Sequence, residues 1–198
     1  MPKPAPHKGP AAPRLAALGR YLRDAVYGAT DGTVTTFAVV SGVEGAGLSP
    51  RIVLILGAAN LVGDGFSMAA GNYLATKADR QRTASVSSGF PPEGGAPVAE
   101  GAPGAAPPGP LTAAGVTFAT FAAAGAVPLL PYLLGGIAGG PAASVSAALT
   151  AGTFFGIGAA KALVVRTRWW RSGLESLAIG GAAAALAYLC GRLLSGVA

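Results

Sequence analysis

Charge is scarce in this chain. Of its 198 residues only 11% are Asp, Glu, Lys or Arg, where a soluble globular domain carries about a quarter. Cysteine occurs once, at Cys190, which excludes an internal disulfide and any cysteine-based zinc cluster. Histidine occurs once, at His7 in a Pro-rich stretch, which excludes a histidine-ligated metal site and a His-dependent triad. No nucleophile–base set, phosphate-cradling loop or dinucleotide fingerprint is present. The chain is therefore read as not an enzyme, and any transport it performs is expected to run on a gradient. No permanently bound cofactor is expected.

What is there is apolar. Hydrophobic residues make up 52% of the chain, so the composition points to an all-α integral membrane protein. The net charge is +6 and the pI near 9.9. The basic residues flank apolar runs, which fits attraction to anionic lipid and not to nucleic acid. Residues 1–19 are Pro-rich and basic and lack the apolar centre of a cleavable signal peptide. They read as a disordered cytosolic tail, with the first membrane helix as an uncleaved anchor.

Five spans follow, at about 24–46, 50–76, 111–134, 141–165 and 173–195, each near the roughly 20 residues that cross a bilayer. Gly47-Leu48-Ser49-Pro50 is turn chemistry between the first two. Pro128 and Pro131 should bend or end the third. The domains are then the tail 1–19, helices 1 and 2 over 20–82, a flexible Pro/Gly cytosolic linker over 83–110, and helices 3 to 5 over 111–198. A cytosolic N-terminus puts Lys3, Lys8, Arg14, Arg20 and Arg23, then Lys77, Arg80 and Arg82, then Arg166, Arg168 and Arg171 inside. Only Arg51 and Arg192 fall outside. Eleven against two predicts N-in, C-out.

The chemistry is concentrated in helices 1 and 2. Residues 60–72 carry Asn60, Asp64, Met68 and Asn72 at intervals of four, which stack along one helical face. Asp31 lies in a similarly apolar setting one segment earlier. Acids deep in membrane helices mark pathways or sites by default, so the two segments are expected to line a route for a metal cation. Carboxylates alone suit magnesium or calcium, while the Met68 thioether shifts the preference toward iron(II), cobalt(II) or manganese(II). Met68 is equally a core gap-filler by type. Asn60 reads as interhelical glue, and Asn72 as either glue or a neutral ligand. Glu44, near the outer end of helix 1, reads as an exit-side acid or a solvated rim charge. Asp24 reads as a helix-start acid beside Arg20 and Arg23, and Glu175 as an N-terminal acid favoured by the helix dipole. Gly28 and Gly32 form a small-xxx-small pair that admits another helix. Trp169 and Trp170 suit an interfacial belt. Metal that binds ionised carboxylates and leaves when they are protonated would couple transport to protons.

Two motifs are similar to a known family. Residues 27–42, Tyr-Gly-Ala-Thr-Asp-Gly-Thr-Val-Thr-Thr-Phe-Ala-Val-Val-Ser-Gly, resemble the first helix of the vacuolar iron transporter family. Residues 56–77, Leu-Gly-Ala-Ala-Asn-Leu-Val-Gly-Asp-Gly-Phe-Ser-Met-Ala-Ala-Gly-Asn-Tyr-Leu-Ala-Thr-Lys, resemble its second. Val127-Pro-Leu-Leu-Pro-Tyr-Leu and Trp169-Trp-Arg-Ser-Gly-Leu-Glu also look like that family. The resemblance implies a five-helix homodimer with the pathway between subunits, exporting iron(II), often manganese(II), from the cytosol by proton antiport. It implies that Asp31 and Met68 are membrane metal-binding positions, with Asp64 in the same signature. Two features depart from the family. The Glu-rich cytosolic domain between helices 2 and 3 is replaced by the Pro/Gly linker, and Asn72 stands where Glu is common. The metal-site set is thus Asp31, Asp64, Met68, Asn72 and Glu44. The partners are a second copy, membrane lipid, divalent transition-metal ions and protons, and the location is a bacterial plasma membrane. The rival reading is a non-transporting structural or regulatory membrane protein of the same fold.

Overall fold

A computed structural model describes the backbone of residues 12–87, 109–135, 142–165 and 167–196. Within them the chain is helical throughout, with no strands. The helices are α1 (Ala12–Gly45), α2 (Pro50–Ser87), α3 (Pro110–Ala126), α4 (Leu130–Leu133), α5 (Ala142–Val165) and α6 (Trp169–Leu194). Most of the expected tail, residues 1–11, lies outside the described residues, and 12–19 are the first turns of α1. Of the expected linker, 83–87 close α2 and Pro110 opens α3, while 88–108 lie outside the described residues.

Four stretches are long and apolar enough to cross a membrane: Pro50–Ser85, Pro110–Leu133, Ala142–Ala162 and Trp169–Leu194. α1 is not among them, because Thr30, Asp31, Thr33, Thr35, Thr36, Ser41 and Glu44 dilute its apolar residues. Its place in the bundle compensates. α1 packs most extensively against α3 and α6 and also touches α2 and α5, so its neighbours shield it. Its buried positions include Gly28, Gly32, Thr33, Thr36, Val40 and Val43, a three-to-four spacing that defines one inward stripe. Two buried hydroxyls are satisfied within their own helices: Thr33 Oγ1 donates to the Ala29 carbonyl at 2.7 Å, and Thr117 Oγ1 to that of Ala113 at 3.0 Å.

The contact between α1 and α3 depends on glycine. A Cβ at Gly28 would fall on the Thr117 carbonyl and the Thr120 hydroxyl, and one at Gly32 on the Phe121 backbone. The small-xxx-small pair therefore admits α3, as the spacing predicts, and Gly125 reciprocates against the Gly32 carbonyl. α1 ends in a Schellman turn. Gly47 adopts φ 68°, its N–H donates to Glu44 at 3.0 Å, and the Leu48 N–H donates to Val43 at 3.1 Å. Only residues 46–49 separate α1 from α2.

The prolines break helix 3 as expected. Pro128 and Pro131 have no N–H to give the carbonyls four residues earlier, Ala124 and Val127. Those carbonyls take N–H groups three residues on instead, from Val127 and Leu130. The result is a 3-10 turn over Val127–Leu129 and then α4. Ser146 Oγ of α5 donates to the Pro128 carbonyl at 2.7 Å and pins the break. Around it lies the apolar core cluster Val40, Val43, Val53, Leu129 and Tyr132.

α6 lies on the outside of the bundle. Only Ser172, Gly173 and Gly180 are buried along it, and Leu174, Ile179, Leu186, Leu189 and Leu193 are exposed, the composition of a lipid-facing surface. It begins four residues earlier than the sequence suggests, so Glu175 falls in its second turn and no acid occupies the first. Trp169 meets Phe155 edge-on at 5.9 Å, and Arg171 stacks over Trp170 at 5.2 Å. Both contacts suit an interfacial aromatic belt.

Candidate functional site

The acids and amides of interest line the seam between α1 and α2. Asp31 is half-buried near the middle of α1. Asp64 is exposed on α2, within electrostatic reach of Asp31. Met68 is half-buried one turn further along α2. Gly63 beside Asp64 has open space around it, and so does Gly71. Ile55, Val62 and Phe66 are exposed on the side of α2 turned away from Asp64, and Leu74 is exposed ten residues further on.

The four-residue column on α2 is not straight. At 3.6 residues per turn, twelve residues rotate the column by about 120°. Asn60 and Asn72 reach α1 while Asp64, between them, stays exposed. Asn60 Nδ2 donates to Thr35 Oγ1 at 3.3 Å and to Thr36 Oγ1 at 3.4 Å, the interhelical role expected of it. Asn72 Nδ2 donates to Asp24 Oδ1 at 3.1 Å and to Thr117 Oγ1 at 2.7 Å, and its Oδ1 accepts from Thr76 at 3.2 Å.

The C-terminal end of α1 carries the remaining acid. Glu44 is half-buried, and its Oε1 accepts a 2.8 Å hydrogen bond from the Tyr132 hydroxyl. It is not a freely solvated rim charge. The structure therefore brings Asp31 and Asp64 together, with Met68 nearby on α2. Asn72 and Glu44 lie toward opposite ends of α1, each in a separate polar contact.

Three participants escaped the sequence reading. Asp24 had been grouped with its neighbouring arginines, yet it meets Asn72 of α2. Thr117 and Tyr132 carried no assigned role. Their only signal was type, a hydroxyl inside an apolar run that needs a partner once buried. Among the described residues no group of three or more His, Cys, Asp or Glu side chains converges as a metal site. A cation on this seam would thus be held by two carboxylates at most from one chain, completed by thioether, amide or carbonyl donors.

A polar-cored helical bundle with an apolar exterior and four spanning stretches defines an integral membrane protein. The family follows from comparison. The family model described as the VIT family matches residues 22–88 and 98–192, and the chain belongs to that family. Vacuolar iron transporter homolog 1 of Oryza sativa subsp. japonica is 33% identical over 178 residues, covering 87% of this chain and 73% of that protein. The vacuolar iron transporter of Toxoplasma gondii is 43% identical over 60 residues, 30% of this chain and 20% of that protein. Vacuolar iron transporter 1 of Arabidopsis thaliana is 38% identical over 66 residues, 33% of this chain and 26% of that protein. The matched part of the chain spans a quarter or less of the first of these two and about a quarter of the second.

Proposed function

We propose that this protein exports iron(II), manganese(II) or both from the cytosol by proton antiport, along the α1–α2 seam. The observation that carries the reading is the proximity of Asp31 and Asp64 with Met68 one turn on. A dication that binds a pair of carboxylates displaces any proton they hold, and protonation on the far side releases the dication. The thioether of Met68 favours a transition ion over magnesium. Asn72 and Glu44 mark the inner and outer ends of the same seam. The names of the plant and apicomplexan relatives agree with an iron cargo.

The working unit in this reading is a homodimer of five-span subunits with cytosolic N-termini. α1 is the fifth span, carried in the interior by its neighbours. The apolar side chains exposed on α2, Ile55, Val62 and Phe66 among them, support a second copy as its cover, with Asp64 exposed on the same helix. A two-fold pairing would set the Asp64 carboxylates of both subunits beside one path.

Metal flux into proteoliposomes under an imposed pH gradient tests the proposal, with iron(II) and manganese(II) compared against magnesium. The expected result is gradient-dependent transition-metal flux that Asp31→Asn abolishes. Full flux in Asp31→Asn would overturn the assignment of the path. No flux of any ion from a folded dimer would favour a non-transporting protein of the same fold.

A further inference from the structure

Asn72 stands where α1, α2 and α3 meet. An amide has two N–H donors, and here Nδ2 serves one acceptor on each neighbouring helix, Asp24 of α1 and Thr117 of α3. The orientation of the amide is settled by chemistry. Asp24 offers a carboxylate oxygen, and Thr117 directs its own proton to the Ala113 carbonyl, so both groups face Asn72 as acceptors. The carbonyl oxygen of Asn72 is turned the other way, where Thr76 donates to it. One turn further into the bundle, Gly28 meets the Thr117 carbonyl and the Thr120 hydroxyl, so the seam between α1 and α3 is already tight above this point. Asp31 lies beyond, seven residues from Asp24 on the same helix.

We infer that Asn72 is the latch of an inner gate: by tying the Asp24 carboxylate to Thr117, its amide holds α2 closed over the α1–α3 seam and separates Asp31 from the inner aqueous side. Asn72 and Thr117 act as positioning residues for Asp24, and neither has to touch the cargo. The latch also supplies its own trigger. A cation that reaches Asp24 from the inner side competes with Nδ2 for the same oxygen, so arrival of the cargo releases the amide and frees α2. The inference rests on the seam as the cation path, yet closure can be measured with no ion crossing.

The test uses the full-length protein in vesicles with the inner face outward. Cys190→Ala removes the native thiol, and Thr120→Cys places a reporter one turn above Thr117. The Thr120 hydroxyl bonds only to carbonyls of its own helix, Val116 and Thr117, so the reporter leaves the latch intact. A charged, membrane-impermeant thiol reagent is added and the labelling rate followed. Asn72→Asp keeps the size of the side chain but replaces the donor with a second carboxylate; it is expected to raise the rate about tenfold, the equivalent of one lost hydrogen bond to a charged group. Exchanging the partners, Asp24→Asn with Asn72→Asp, restores a donor opposite an acceptor and is expected to return the rate toward that of the parent. A space-filling role for Asn72 would leave the Asn72→Asp rate unchanged, and that result, or an exchange variant as reactive as the single one, overturns the latch. If Asn72→Asp does not fold, Thr117→Val removes one acceptor at constant shape: faster labelling supports the latch, and an unchanged rate overturns it. A protein that labels as expected but moves no metal would sink the transport reading and leave the latch standing.

Discussion

The Tyr132 hydroxyl donates to Glu44 Oε1 at 2.8 Å, joining the C-terminal end of α1 to the short helix that follows the proline break. The ring of Tyr132 is buried among Val40, Val43, Val53 and Leu129, so an apolar cluster aims a single polar atom at a single acid. The break at Pro128 and Pro131 is what turns the chain so that Tyr132 comes within reach of α1.

Tyr132→Phe keeps the ring and removes that atom. It is expected to cost about 1–3 kcal/mol, the range for a hydrogen bond to a charged group. Thermal unfolding in detergent reads the loss, and Glu44→Gln, which retains an acceptor, should lose less.

Met68→Leu separates ligation from packing. The two side chains have similar volume, so stability should change by less than about 1.5 kcal/mol. Selectivity should change more, with iron(II) losing its advantage over magnesium in competition flux assays. Equal selectivity in the variant would assign Met68 to the core alone.

Gly32→Ala places a methyl group on the Phe121 backbone. Neither helix can yield without separating, so the substitution is expected to destabilise by roughly 1–3 kcal/mol or more. Gly152→Ala is the control, since nothing lies within 4 Å of the added atom. There, helix propensity predicts a gain of up to about 1 kcal/mol. Chemical denaturation of both variants side by side gives the comparison.

Ser146→Ala removes the donor from the buried Pro128 carbonyl. A loss of about 1–3 kcal/mol is expected from the unsatisfied carbonyl, together with faster amide exchange over residues 127–134.

Features set by local chemistry could be read in advance. Two prolines without N–H groups announced the break in helix 3, and a glycine pair announced a close helix partner. The Thr-rich composition of α1 announced an interior helix. What could not be read was the identity of partners. Spacing places Asn72 on a face of α2, but its acceptors lie 48 and 45 residues away in sequence, on two other helices. The same holds for Tyr132 and Glu44, 88 residues apart. Nor does spacing say that Asp64 stays exposed while Asn72, two turns on, is tied to α1 and α3. Helix starts suffered from an opposite error. Trp169 and Arg171 read as a border to α6, whereas the backbone there is already helical.

The Schellman turn at Gly47 bears on how the protein is made. A translocation machine that admits segments one by one on apolarity would accept α2 and hesitate over α1, whose hydroxyls and acids find their shelter only in the finished bundle. With four residues between them, the two helices cannot be judged separately. On the five-span reading, α1 is expected to enter lipid as the leading arm of a hairpin, carried by the arm behind it. Lengthening that turn with a polar insert should therefore strand α1 at the membrane surface during synthesis, even in a chain whose final fold would tolerate the extra residues.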